Sequence, residues 1–146
     1  MEKVRAILML EILGKPKEHI KKTLAEIVKK LGEEKDVEIK EKKIAEPKKL
    51  EGEEIKQELF TSFAEIELET SLNKLVAICF GYMPSHLEII YPEDLKIKNA
   101  DLNMMLNELT RRLHQYDELA KGMIIERQIL AKKIKDGEIK IVKDKE

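Results

Sequence analysis

The residue types most often used in catalysis and metal binding are few in this chain and do not cluster. There are three histidines and one cysteine among 146 residues. His114 and Glu118 are one helical turn apart, but such a pair on a charged helix is usually solvated surface, and the two-histidine zinc-protease pattern is absent. Cys79 falls on an apolar helical stripe, so we expect a buried structural thiol. We therefore predict no catalytic residue, no metal site and no cofactor.

The charges nearly cancel, with 28 basic and 29 acidic residues, but they are distributed unevenly. Residues 1–50 carry a net charge of +4, residues 51–101 carry −7, and residues 102–146 carry +2. A protein that coats nucleic acid is usually strongly basic, and a base-stacking sheet needs aromatic residues, which make up only 4% here. We therefore do not expect a nucleic-acid partner, although the lysine-rich first helix leaves weak RNA association as a second alternative.

The composition also bears on compartment and source. One cysteine excludes an intramolecular disulfide framework, and no apolar run approaches the ~20 residues that span a bilayer. The apolar stretch near the N-terminus is too short for a signal peptide. We expect a cytoplasmic protein with no membrane partner. The abundance of Lys and Glu is typical of thermophilic, and so of many archaeal, proteins.

Alternation of apolar and polar residues predicts four strands, at residues 4–13, 37–45, 59–69 and 86–91. The first strand is apolar on both faces, and such strands are normally covered on both sides. The second alternates with charges, as expected of an edge strand. Residues 47–58, rich in Lys and Glu, are predicted to form a solvated loop or an irregular hairpin connection.

Apolar residues at helical spacing predict one helix after the first strand and another after the third. The first helix begins at Pro16, which suits a first turn, and Gly32 is a plausible C-terminal stop. The second is capped by Thr70 or Ser71 and ends before Pro84. Its apolar stripe contains Leu72, Leu75, Val76, Cys79 and Phe80.

The resulting order of strand, helix, strand, strand, helix, strand predicts an α+β fold, a ferredoxin-like βαββαβ sandwich. The first and third strands are central in that arrangement. We predict this sandwich domain over residues 1–97. A long amphipathic helix over 98–136 and a charged tail over 137–146, forming a short strand or disordered, complete the chain.

The long helix carries apolar residues at spacings that alternate between four and three, as in a coiled coil. We define the seam as the ten positions that follow this spacing, which are Leu102, Leu106, Leu109, Leu113, Tyr116, Ala120, Met123, Arg127, Leu130 and Ile134. All but Arg127 are apolar or Tyr. The N-terminal half has a competing role in covering its own sheet, and a break at Gly122 with folding back is a further alternative. Because a helix of this length outruns a six-residue strand, we expect self-association, most simply a homodimer.

The predicted strand order and the turn formed by Gly14, Lys15 and Pro16 resemble ACT-type regulatory domains. That resemblance is topological and covers residues 4–91. It implies a small-ligand site near this turn, commonly at a subunit interface. The acidic-x-Pro-Gly signature of the family is not matched, since the turn reads Gly-Lys-Pro-Lys.

Two hypotheses of function follow. The first is a non-enzymatic, homo-oligomeric interaction or adaptor protein, in which the seam joins the copies and a protein partner is bound. The alternative is an ACT-like ligand-binding regulatory domain using Gly14, Lys15 and Pro16.

Overall fold

The computed structural model describes residues 2–52 and 58–137. It is an α+β protein that divides into two compact units, residues 1–96 and 97–146. The first unit contains, in order, β1 (Lys3–Gly14), α1 (Lys17–Glu33), β2 (Val37–Ile44), β3 (Lys48–Lys49), β4 (Phe60–Ser71), α2 (Leu72–Tyr82) and β5 (His86–Tyr91). The described part of the second unit is dominated by α3 (Asn99–Lys135).

The five strands form one antiparallel sheet. Four of them follow the order β2-β4-β1-β5, and β3 lies off this path and pairs with β4. The long strands β1 and β4 lie in the centre and pair along their whole length, from Lys3 opposite Ser71 to Gly14 opposite Phe60. The small strand β3 pairs with the beginning of β4, beyond the end of β2. Of the two alternatives for residues 47–58, a wholly solvated loop does not describe Lys48 and Lys49, because they pair with β4. Residues 53–57 of that stretch lie outside the described residues.

The core is built on one face of the sheet. Alternate residues of β1 and β4 are buried there and meet the apolar faces of α1 and α2, since both helices contact both strands. These inward-facing residues are Val4, Ala6, Leu8, Leu10, Ala64, Ile66 and Leu68, matched by Ile20, Leu24, Val28 and Leu31 from α1. On the opposite face of β1, Ile7 and Met9 are half-buried and Leu13 is 59% exposed, so that face is less buried than its apolar pattern predicted.

Both ends of α1 differ slightly from expectation. Pro16 does not occupy the first turn but precedes it, and its carbonyl accepts the first helical hydrogen bond from the Ile20 N–H at 3.2 Å. Gly32 lies inside the last turn, where a side chain would approach Ile39 Cδ1 to 3.0 Å. The residue with left-handed backbone is instead Asp36, with φ of 65°. A close approach, and not a helix stop, is the reason for glycine at position 32.

The second helix begins as predicted. The Ser71 side chain caps α2 by accepting a hydrogen bond from the Lys74 N–H at 3.3 Å. Thr70, the other candidate cap, instead donates its hydroxyl to the Asp36 carbonyl at 2.7 Å. The helix ends at Tyr82, where Met83 adopts the left-handed backbone conformation just before Pro84.

Candidate association surface

The long helix α3 begins at Asn99, next to the predicted start at residue 98. Lys98 is the N-cap residue of α3, and its carbonyl accepts a hydrogen bond from the Leu102 N–H at 3.0 Å. No side chain caps this end, but Asp101 in the first turn places a negative charge near the positive end of the helix dipole.

The helix runs without interruption for 37 residues, a length of about 55 Å. The alternative of a break at Gly122 is therefore wrong, and a side chain at that position would meet no atom within 4 Å. Lys132, Lys133 and Lys135 in the last turn complement the negative end of the dipole. Gly137 follows with φ of 78°, a left-handed conformation that favours glycine after a helix. The proposed tail from residue 138 onward lies outside the described residues.

The seam residues are largely exposed on α3. No residue of this helix is buried, and Ile134 is the seam position with intermediate exposure. The exposed fraction of Leu113 is 56% and that of Met123 is 68%. Leu102, Leu106, Leu109, Tyr116 and Leu130 are exposed as well, as are Ala120 and Arg127. A continuous row of exposed apolar side chains is the usual mark of an interaction surface.

Further exposed apolar residues lie outside the seam. Leu119 and Ile124 flank it on its two sides and widen it, whereas Met104 and Ile125 occupy the opposite side of the helix. Ile129 is also exposed. The seam is thus the most regular part of a helix that carries apolar side chains on more than one face.

Charged pairs within α3 stabilise the helix around the seam. The Glu108 carboxylate accepts hydrogen bonds from Arg111 Nη2 at 2.5 Å and from Arg112 Nε at 2.9 Å. These two guanidinium groups, Arg111 before Arg112, lower the pKa of Glu108 to about 2. Further along the helix, Lys121 Nζ lies 2.8 Å from Asp117 Oδ2.

The Gly14-Lys15-Pro16 turn belongs to the first unit. Gly14 brings the chain close to α1, since a side chain there would meet Ile20 Cδ1 at 2.9 Å. Lys15 and Pro16 are exposed, and with Glu58 and Phe60 they line an open depression beside the turn. The predicted ligand residues are therefore adjacent to a concave surface.

Comparison with known proteins assigns nearly all of the chain to one family. The model of the MJ0538 family matches residues 5–144, which include all of α3 and nearly all of the first unit. The chain belongs to the MJ0538 family. No curated protein and no solved structure matches it.

The exposed sheet face of this MJ0538-family chain is rich in carboxylates. Glu41 of β2 lies opposite Glu67 of β4, and Ile7 of β1 lies between Glu67 and Glu88 of β5. Phe63 is the exposed aromatic on this face of β4. Carboxylates at this density repel phosphate groups.

The prediction of a buried Cys79 is wrong. The thiol is exposed, although partial burial by its neighbours still raises its pKa. The residues that α2 buries are Leu72, Leu75 and Ile78, so its core-facing stripe follows a spacing of three. Because α2 is apolar on most sides, its sequence does not show which side faces the core. For this reason Ile78 is absent from the predicted apolar stripe.

Within residues 2–52 and 58–137, no group of three or more His, Cys, Asp or Glu side chains is arranged to hold a metal ion. His114 and Glu118 are both exposed, one turn apart on α3. None of the helices described is long and apolar enough to cross a membrane.

Proposed function

We propose that this protein is a non-enzymatic, homo-oligomeric interaction or adaptor protein of the cytoplasm. In this proposal the seam of α3 joins two copies, and each copy displays a ferredoxin-like unit that binds a protein partner. The strand order β2-β4-β1-β5, with every pairing antiparallel, supports the ferredoxin-like assignment.

The observation that carries the proposal is the exposed seam. An uninterrupted 37-residue helix with no buried residue gains little from its own chain, because most helical stability in proteins comes from packing an apolar face. Pairing two such helices removes both apolar rows from water at once. A self-association helix accounts for the heptad spacing, which a solvated helix would not need.

Light scattering coupled to size exclusion tests this proposal directly. We expect a mass of twice the 17.0 kDa of one chain. Replacing Leu109 and Leu113 together by Glu places two charges in the seam and should reduce the mass to that of one chain. A wild-type protein that elutes as a monomer at micromolar concentration would refute the proposal.

A matched control is available on the opposite side of the helix. Met104 and Ile125 are exposed, like Leu109 and Leu113, but neither belongs to the seam. Their double replacement by Glu adds the same two charges and should leave the mass unchanged. Circular dichroism of both double variants checks that α3 remains helical.

The second candidate function is ACT-like binding of a small ligand, and the depression lined by Lys15, Pro16, Glu58 and Phe60 favours it. A ligand that binds only the folded protein raises the midpoint of thermal unfolding. A thermal-shift screen of amino acids and other metabolites therefore tests this candidate. Any hit should be abolished by replacing Phe60 with Ala, and a screen without hits would count against it.

A further inference from the structure

The seam also contains information about the direction in which two copies pair. Resting on the proposed function, we infer that α3 pairs with α3 of a second copy in the antiparallel direction, centred near Glu118. Each Arg127 then faces Leu109 of the second copy. The first of three features of the described residues permits this pairing, and the other two favour it over a parallel pair.

The first feature is the symmetry of the seam. Its ten positions run from residue 102 to residue 134 with spacings that read the same from either end. A reversed second helix centred at residue 118 therefore brings every seam position opposite another one. Leu102 meets Ile134, Leu106 meets Leu130 and Leu113 meets Met123, so no apolar position at either end is left without a partner.

The second feature is Arg127, the one charged residue in the seam. In a parallel pair in register, the two Arg127 guanidinium groups would meet at the same level between the helices, and like charges facing each other are strongly unfavourable. In the antiparallel pair they lie 18 residues apart along the axis, about 27 Å at 1.5 Å per residue. Each aliphatic stem can then cover Leu109 while its guanidinium reaches water.

The third feature is the difference in size between Tyr116 and Ala120, the two central seam positions. A parallel pair would stack Tyr116 on Tyr116 and then Ala120 on Ala120, making one crowded layer followed by one hollow layer. The antiparallel pair sets each Tyr116 against Ala120 of the second copy. Large against small at facing positions keeps the spacing between the helices even, as close packing requires.

The residues beside the seam contribute less. Antiparallel pairing brings Arg112 opposite Glu126 of the second copy, whereas parallel pairing brings Arg112 opposite Asp117. Both are exposed ion pairs, each worth about 1 kcal/mol at most. Asp117 faces its own counterpart in the antiparallel pair, but Lys121 lies 2.8 Å from it in the same chain. The direction of helix pairing is therefore set by two features of the seam. One is the charge of Arg127, and the other is the difference in size between Tyr116 and Ala120.

The direction of pairing decides how far apart the two first units are joined to the helix pair. The two Asn99 ends, to which the first units are joined, lie at opposite ends of an antiparallel pair, 38 residues or about 57 Å apart along its axis. A homodimer built in this way separates the two Asn99 ends, whereas a parallel pair would bring them together at one end.

Disulfide trapping distinguishes the two directions. Cys79 is first replaced by Ser, and Leu113→Cys and Met123→Cys are then made separately in that background. We expect neither single variant to cross-link under mild oxidation, because its cysteines lie 10 residues apart along the antiparallel pair, about 15 Å, far beyond disulfide reach. A one-to-one mixture of the two, unfolded and refolded together, should trap its mixed dimers.

The outcomes separate this inference from the proposed function. Cross-linking of Met123→Cys with itself, as strong as in the mixture, would overturn the antiparallel direction while leaving the dimer intact. A dimer by light scattering that traps in neither case would overturn the register centred at residue 118. A monomer by light scattering would overturn the proposed function itself.

Discussion

Lys74 Nζ lies 2.7 Å from Glu34 Oε2, which ties the beginning of α2 to the turn that follows α1. The other carboxylate oxygen, Glu34 Oε1, accepts a hydrogen bond from the Tyr82 hydroxyl at 3.0 Å, at the end of α2. One carboxylate therefore holds both ends of α2. The bond from Lys74, followed by that from Tyr82, lowers the pKa of Glu34.

The titration of Tyr82 provides a prediction at high pH. Burial, and then the bond to Glu34, raise the pKa of Tyr82 to about 12 from an ordinary value of 10.0. Because the folded state favours the protonated hydroxyl, this group stabilises the fold below pH 10, and the stabilisation is lost as the pH rises toward 12. We expect the absorbance titration of the phenolate to contain a component near pH 12 that Tyr82→Phe removes.

The same substitution should alter stability at high pH. Tyr82→Phe should lose less stability than the wild type between pH 10 and 12, as measured by urea unfolding at a series of pH values. Glu34→Gln is the control, because it removes the Glu34 charge and leaves burial, the first cause, in place, so the Tyr82 component should move only part of the way back toward pH 10. Identical titration curves for wild type and Tyr82→Phe would contradict the prediction.

A second prediction concerns Glu108 on α3. Its pKa of about 2 lies below the ordinary 4.5, so the carboxylate stabilises the folded helix above pH 4.5 and this stabilisation is lost as the pH falls toward 2. Arg111 is the first cause of the shift. Carbon NMR of the Glu carboxyls should therefore show the Glu108 pKa rising in Arg111→Gln.

Added salt is the check on this second prediction. An exposed ion pair weakens as the ionic strength rises, so 0.5 M salt should bring the wild-type value closer to that of the variant. A Glu108 resonance that titrates near pH 4.5 in both proteins would show that the hydrogen bonds from Arg111 and Arg112 to Glu108 do not form in solution.

Much of the first unit could be predicted from sequence, and β4, in which apolar and polar residues alternate, is the clearest case. Burial of Ser62, Ala64, Ile66, Leu68 and Thr70 follows the period of two that the sequence displays over this strand. The strand β3 could not be predicted in this way. Lys48 and Lys49 form two pairs with β4 through main-chain atoms, and their side chains are those of a solvated loop.

The features found only in the structure depend on contacts between distant segments. Asp36 adopts a left-handed backbone because the Thr70 hydroxyl binds its carbonyl and the Ser71 N–H binds its side chain at 3.3 Å. Asp36 is more than 30 positions from Thr70 and Ser71, so no local sequence pattern predicts these hydrogen bonds. The α3 seam is the opposite case, since its heptad spacing is wholly local and was predicted residue by residue. What binds that seam stays a prediction.

A third prediction tests the Asp36 turn. Thr70 is fully buried, and Thr70→Val keeps its shape but removes the hydroxyl that donates to the Asp36 carbonyl. Leaving a buried carbonyl without its donor costs about 1–3 kcal/mol, which denaturant unfolding can measure. Thr70→Ser retains the hydroxyl and serves as the control for the Asp36 bond. Equal stability of Thr70→Val and the wild type would mean that water replaces the lost bond.

The final prediction separates the stability of α3 from its association. Gly122 lies in the middle of the helix, outside the seam, and a side chain there meets no atom within 4 Å. Gly122→Ala should therefore stabilise the helix by about 1 kcal/mol without changing the mass of the assembly. Gln115 occupies the equivalent position one heptad earlier, and Gln115→Gly is expected to destabilise the helix by a similar amount. Thermal unfolding followed by circular dichroism, with light scattering on the same samples, measures both effects. If Gly122→Ala lowered either the midpoint or the mass, the residue would lie in a contact, and the seam would have to be drawn on a different face of α3.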